Sequence, residues 1–157
     1  MRIGIVGAGS VGATIAYSVI GRGLASQLVL ADRDLDKAEG HAMDLRHCAA
    51  FIPPVEIVAG GVAAVRGMDL VVVATGVRRH ENESPTEHGR RSLGSVSEFA
   101  VPLARANPEA IFLVVSSPVD LVALSIIRHG GVSPGLVLGT GTLLDTSRLR
   151  HLSSARF

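Results

Sequence analysis

Three glycines and one aspartate carry the first chemical signal in the chain. Gly7, Gly9 and Gly12 form a GxGxxG pattern, and Asp32 stands twenty residues beyond the last of them. Gly7 would permit a tight turn, Gly9 would leave room for a phosphate, and Gly12 would let the following helix pack close to a sheet. A helix opening at Ser10 would point free N–H groups and the positive end of its dipole at a diphosphate. A carboxylate at Asp32 would accept from the hydroxyls of an adenosine ribose and repel a 2′-phosphate. Together these residues imply a nicotinamide dinucleotide, NAD in preference to NADP. Arg33, next in the chain, could soften that discrimination. Without this chemistry the glycines are a turn and Asp32 a surface acid.

Positioning these groups requires a strand before the glycines, a helix after them and a second strand ending at Asp32. The pattern supplies all three. Residues 2–6 read as a buried strand, and a helix follows from Ser10 with Val11, Ile15, Val19 and Ile20 on one face. Residues 27–31 (QLVLA) form the second strand. Asp34 then caps a helix whose inner side carries Leu35, Ala38, Ala42 and Leu45. A third strand is expected at 55–58, a short helix at 63–66 and a fourth strand at 69–74. The polar stretch 75–89, with Pro85 inside it, reads as a loop of about fifteen residues, a length that usually marks a functional segment. A helix at 90–107, a strand at 110–115, a helix at 119–129, a strand at 136–138 and a helix from Thr142 complete the chain.

Strands thus alternate with helices six times. That predicts an α/β Rossmann fold: one doubly wound, six-stranded parallel sheet in the order 3-2-1-4-5-6, as a single domain spanning residues 1–157. Composition agrees. Of 157 residues 47% are hydrophobic and only 3% aromatic, so the core must be aliphatic, as parallel strands buried on both faces require. The net charge of +1 gives no case for a nucleic-acid partner. The pairs Arg78-Arg79 and Arg90-Arg91 read as solvated loop and helix-start residues. Glycines break the apolar N-terminal run too often for a membrane span or signal peptide. A single cysteine, Cys48, favours a reducing compartment, so a cytoplasmic location is expected.

Beyond these patterns, the stretches IVGAGSVG, KAEGHAMDL, VVVATGV, VVSSPVD and GTGTLLDTSRLR resemble the lactate/malate dehydrogenase family, in order and from Met1 to about Leu152. The likeness is to the cofactor-binding half of such an enzyme, with the catalytic domain absent. It implies that Val11 and the glycine turn contact the diphosphate. It places Lys37 near the ribose held by Asp32, and Thr75, Gly76 and Val77 along the cofactor groove. Arg78 would reach the cofactor phosphates, and Ser116 and Ser117 would lie near the nicotinamide ribose, with Ser117-Pro118 in cis. Arg79 falls where malate-type members carry arginine, which would pair with a second substrate carboxylate. Otherwise it is a loop arginine. Asp145 matches the aspartate that orients the catalytic histidine, and Arg148 the arginine that clamps the substrate carboxylate. Read alone they are a helix N-terminal acid and a surface arginine.

The resemblance also exposes what this stretch lacks. Reducing a 2-keto acid needs a proton from a general acid, in this family a histidine beyond position 157. None of the six histidines fits: His41, His47 and His151 belong to helices, His80 and His88 to the loop, and His129 ends a helix. Pro85 stands where the family's loop carries an arginine that polarises the carbonyl, and loss of such a contact costs on the order of 10²–10³ in rate. Ser117 replaces an asparagine, and Asn82 a loop glycine. The expectation is a truncated NAD-binding domain of a 2-hydroxy-acid oxidoreductase, inactive in hydride transfer by itself. The alternatives are a half-enzyme completed by a second polypeptide, and a non-enzymatic nucleotide-binding or assembly module that forms homo-oligomers through the helix after Asp34. No metal site is expected.

Overall fold

The protein is described from a computed structural model, covering residues 1–77 and 80–156 and, at Pro85, the backbone alone. Six strands form one parallel sheet: β1 (Arg2–Val6), β2 (Gln27–Ala31), β3 (Glu56–Gly60), β4 (Leu70–Val73), β5 (Ile111–Val114) and β6 (Val137–Gly139). Their order is β3-β2-β1-β4-β5-β6, the doubly wound arrangement that the alternating pattern predicts. Among the described residues four α-helices link and cover them, α1 (Ser10–Gly21), α2 (Leu35–His47), α3 (Pro85–Ala106) and α4 (Val119–Gly130), and α5 (Leu143–Ser154) follows β6.

Alternation along the strands divides the core between two faces. Ile3 and Ile5 of β1 join Leu28 and Leu30 of β2 under α1 and α2, where Ala16, Ile20, Ala38, Ala42 and Leu45 are buried. On the other face Val6, Val29, Val71 and Val73 pack beneath Val96, Ala100 and Leu103 of α3 and Val122 and Ile126 of α4. Small alanines on α1 and α2 let those helices approach the sheet closely. The only fully buried aromatic among the largest core side chains of the described residues is Phe112, so the interior is aliphatic as composition requires.

Several boundaries differ from the pattern reading, each for a local reason. β3 runs two residues further than expected because its register follows β2, with Gln27 opposite Glu56 and Ala31 opposite Gly60. The short helix expected at 63–66 is a 3-10 turn, Val62–Ala64. Val11 and Leu35, grouped with apolar stripes, are 51% and 57% exposed, since each lies in the first turn of its helix. The largest correction concerns α3. It starts at Pro85 rather than residue 90, so the loop after β4 closes by residue 84. Ser84 caps it: Ser84 Oγ accepts from Glu87 N–H, and the Glu87 carboxylate accepts from Ser84 N–H at 2.9 Å. Proline is favoured in the first turn of a helix, where its missing N–H has no partner to lose. His88 therefore belongs to the helix.

One buried amide fastens the far end of α3. Asn107, 1% exposed, donates through Nδ2 to the carbonyls of Val65 and Leu103, both at 2.8 Å, and accepts Met68 N–H at 2.9 Å. This stitches the connection before β4 to the end of α3. Asn107→Ala leaves a buried N–H and two carbonyls short of a partner, and each such group costs about 1–3 kcal/mol. The variant is expected to lose roughly 3 kcal/mol of stability and roughly 6–12 °C of thermal midpoint, measured by calorimetry or circular dichroism.

Candidate cofactor site

The parallel register sets the strand ends level. Val6 lies opposite Ala31 on one side and Val73 on the other, so the chain segments after β1, β2 and β4 emerge at one edge of the sheet. Between them opens a cleft of about 350 Å³, within the size range of small-molecule sites. Gly7, Gly9, Ser10, Val11, Asp32, Lys37, Thr75, Gly76 and Val77 all line it. Nine of the residues singled out from sequence thus share one cavity.

The glycines are explained by their surroundings. Gly7 has φ +108°, and a Cβ there would lie 2.6 Å from the Ala74 carbonyl oxygen. A Cβ at Gly12 would overlap the Gly7 carbonyl oxygen. At Gly9 the same atom would meet nothing within 4 Å, so the backbone borders open space. Gly9 caps α1 without a side-chain bond, and the first turn of α1 carries no acid. The positive end of the helix is left to an anion.

Asp32 is held rigidly across from this turn. Its Oδ2 accepts Ala8 N–H at 2.7 Å and its Oδ1 accepts Asp34 N–H at 3.1 Å, while Lys37 Nζ lies 3.8 Å from Oδ2. Each oxygen keeps a lone pair for a further donor. Outside the carboxylate, Arg33 also lines the cleft and pairs with Glu98 of α3 at 3.8 Å.

A narrow extension continues past Thr75, Val77 and Ser95 to Ser92, Ser116 and Ser117. Ser116 is buried and donates to the Val73 carbonyl at 3.0 Å, with Thr75 Oγ1 3.3 Å away. Ser117 is exposed and precedes a cis proline, as expected. The Ser92 hydroxyl is buried and has no hydrogen-bond partner among the described residues. Ser95 and Phe99, on the α3 face that turns to the cleft, escaped the sequence reading. Their signal would have been hydroxyls spaced three apart, at Ser92 and Ser95, on an otherwise apolar helix face.

Other expected residues stand apart. Asp145 and Arg148 form an exposed ion pair on α5, 3.2 Å apart, and neither lines the cleft or its extension. Arg78 and Arg79 lie outside the described residues. No histidine lines either cavity.

Arg91 corrects the view of the Arg90-Arg91 pair as solvated. It donates to both oxygens of Glu83, at 2.6 and 2.8 Å, and the Glu83 side chain is only 7% exposed. His88 Nδ1 lies 3.6 Å from the same carboxylate. The Arg91 hydrogen bonds pull the Glu83 carboxyl down to about 2, helped by the His80 N–H and opposed by burial. A carboxyl lowered by folding stabilises the protein above its ordinary value of 4.5, and that contribution fades as pH falls from there towards 2. Glu83→Gln should therefore lower the urea midpoint at pH 7, and the gap from the parent should narrow below pH 4.5. A gap that stays constant down to pH 3 would contradict the pairing.

Comparison with known proteins matches this geometry. The family model for the lactate/malate dehydrogenase NAD-binding domain matches residues 1–139. L-lactate dehydrogenase 1 of Clostridium acetobutylicum is 37% identical over 156 residues, covering 99% of this chain and 50% of that protein. The L-lactate dehydrogenase of a Thermoanaerobacter species is 38% identical over 153 residues, covering 98% and 49%. Among solved structures, a lactate dehydrogenase enzyme from a Medee basin deep-sea metagenome library superposes with a TM-score of 0.90 at 36% identity, covering 98% of this chain and 49% of that one. The minor L-lactate dehydrogenase of Enterococcus mundtii, in a ligand-bound form, gives 0.91 at 31% identity, covering 99% and 50%. The chain spans about half the length of these relatives. With a matching family model over most of its residues, this chain belongs to the lactate/malate dehydrogenase family as its NAD-binding domain, and its cofactor is NAD.

Proposed function

We propose that this chain is the coenzyme-holding half of a 2-hydroxy-acid dehydrogenase and that residues 1–157 alone do not transfer hydride. The observation that carries the reading is the Ala8 N–H to Asp32 bond at 2.7 Å, which sets the Asp32 carboxylate beside the open glycine turn, where it would meet an adenosine ribose. The N–H groups of Ser10, Val11 and Gly12 would hold the diphosphate, and Asp32 would hold the adenosine ribose with Lys37 beside it. Thr75, Gly76 and Val77 would border the groove, and Ser116 and Ser117 the nicotinamide end. NAD supplies a hydride acceptor, or in its reduced form a donor. The protein must accept the proton in the first direction and supply it in the second.

Support for inactivity comes from the histidines. His41, His47, His80, His88, His129 and His151 all lie away from the cleft lining. Pro85 stands at the loop position where the resembling enzymes carry arginine. Its backbone opens α3, and proline carries neither charge nor donor. Arg79, at the substrate-selecting position, would favour a dicarboxylate such as oxaloacetate. A cytoplasmic setting suits the half-buried free thiol of Cys48. Among the described residues, no helix is long and apolar enough to cross a membrane.

A second reading, completion by a separate catalytic half, is favoured by α5. It presents Asp145 and Arg148 among Leu143, Leu144, Leu149 and Leu152, which are 60–66% exposed. The helix buries none of these leucines, and exposed apolar side chains suit a partner surface.

Two measurements bear on the proposal. NADH titrated into the purified chain should bind, and Asp32→Asn should weaken binding roughly tenfold, the value of a hydrogen bond to a charged group. Gly9→Leu should abolish at least about nine-tenths of the affinity by filling the space meant for the diphosphate, with a thermal midpoint close to the parent's. Steady-state assays with NADH and pyruvate or oxaloacetate should stay at background. Sustained turnover by these 157 residues would overturn the inactivity, and absent NADH binding would overturn the assignment of the cleft.

A further inference from the structure

We propose that Glu98 tunes the preference of the cleft for NAD over its 2′-phosphorylated form, by engaging Arg33, the arginine that, among the described residues, lines the cleft beside Asp32. This rests on the cleft being the NAD site. Arg33 directly follows Asp32 and lines the cleft with it. An arginine at the end of the second strand is the side chain that accommodates a 2′-phosphate in this fold, because its planar fork matches phosphate oxygens. Here that fork has a competitor. Glu98 lies on α3 between Ser95 and Phe99, which line the facing wall. Its Oε2 is 3.8 Å from Arg33 Nη1, so the pair spans from the end of β2 to α3.

The charges at this end of the cleft are balanced pairwise. Among the described residues lining the cleft, Lys37 and Arg33 are the cations. Lys37 faces Asp32 and Arg33 faces Glu98, each at 3.8 Å. A neutral ribose diol enters this arrangement without disturbing it. A 2′-phosphate would meet the Asp32 carboxylate and would have to share the charge of Arg33 with Glu98, 3.8 Å from its Nη1. The two acids discriminate differently. Asp32 is fixed by two backbone N–H groups and acts by repulsion, while Glu98 acts by occupying the cation. The Arg33–Glu98 pair is 77% and 67% exposed at its side chains, so its contribution is graded rather than absolute.

The test is fluorescence titration of the purified chain with NADH and NADPH. Glu98→Gln is expected to tighten NADPH binding about two- to fivefold, the range set by exposed ion pairs, with NADH affinity changed by less than about twofold. The gain should shrink in about 0.5 M salt, where exposed charges are screened. In an Arg33→Gln background, Glu98→Gln should add nothing. An equal gain with and without Arg33 would overturn the proposal, since general charge would then be the cause. No gain at all, or loss of NADH binding in Glu98→Gln, would overturn it too. Failure of the parent chain to bind NADH is a separate result, and it would remove the NAD reading of the cleft itself.

Discussion

The N–H of Ala8 points at Asp32, and this contact ties together the two turns that make the cleft. Parallel pairing brings the ends of β1 and β2 level, and Gly7 N–H donates to the Ala31 carbonyl at 2.7 Å. The next N–H, on Ala8, then falls within 2.7 Å of the Asp32 carboxylate. A charged acceptor for a backbone donor is among the stronger hydrogen bonds a fold can make. It also sets where the carboxylate can lie. From the other side the end of β4 presses on the same turn, because the Ala74 carbonyl occupies the space a Cβ at Gly7 would need. The glycine turn, the Asp32 carboxylate and the segment after β4 are therefore one geometric unit, and moving any of the three strand ends would displace all of them.

How much of this could be read from sequence depends on the range of the interaction. The glycine spacing, the strands and the acid after QLVLA are local patterns, and the sheet order follows from their alternation. Helix α3 shows the limit. Pro85 interrupts a polar run and looks like a breaker, yet Ser84 and Glu87 form a capping box around it. The Ser-x-x-Glu spacing is present in the sequence, but apolar periodicity begins only at Leu93, so the pattern puts the helix start too late. Once the start of α3 moves, His88 becomes helical and Arg91 comes within reach of Glu83 eight residues earlier. The pairing of Arg33 with Glu98 had no local signature at all, since it joins side chains far apart in the chain through the packing of α3 on the sheet. The cleft-facing hydroxyls of Ser92 and Ser95 were hidden for a similar reason, because a serine on a helix ordinarily faces water.

The distribution of the core bears on what these residues can and cannot do. One face of the sheet is closed by α1 and α2, the other by α3 and α4, and α5 buries no residue. The groove built on the strand ends inherits the rigidity of that interior. Ser116, for instance, is fixed by the Val73 carbonyl beneath it. Asp145 and Arg148 ride instead on a helix the core does not grip, joined to each other by an exposed ion pair. Such a pair contributes about 0–1 kcal/mol, too little to hold a side chain to the tolerance catalysis requires. The strand-end cleft therefore rests on the packed interior, while the ion pair on α5 has no such support from the core.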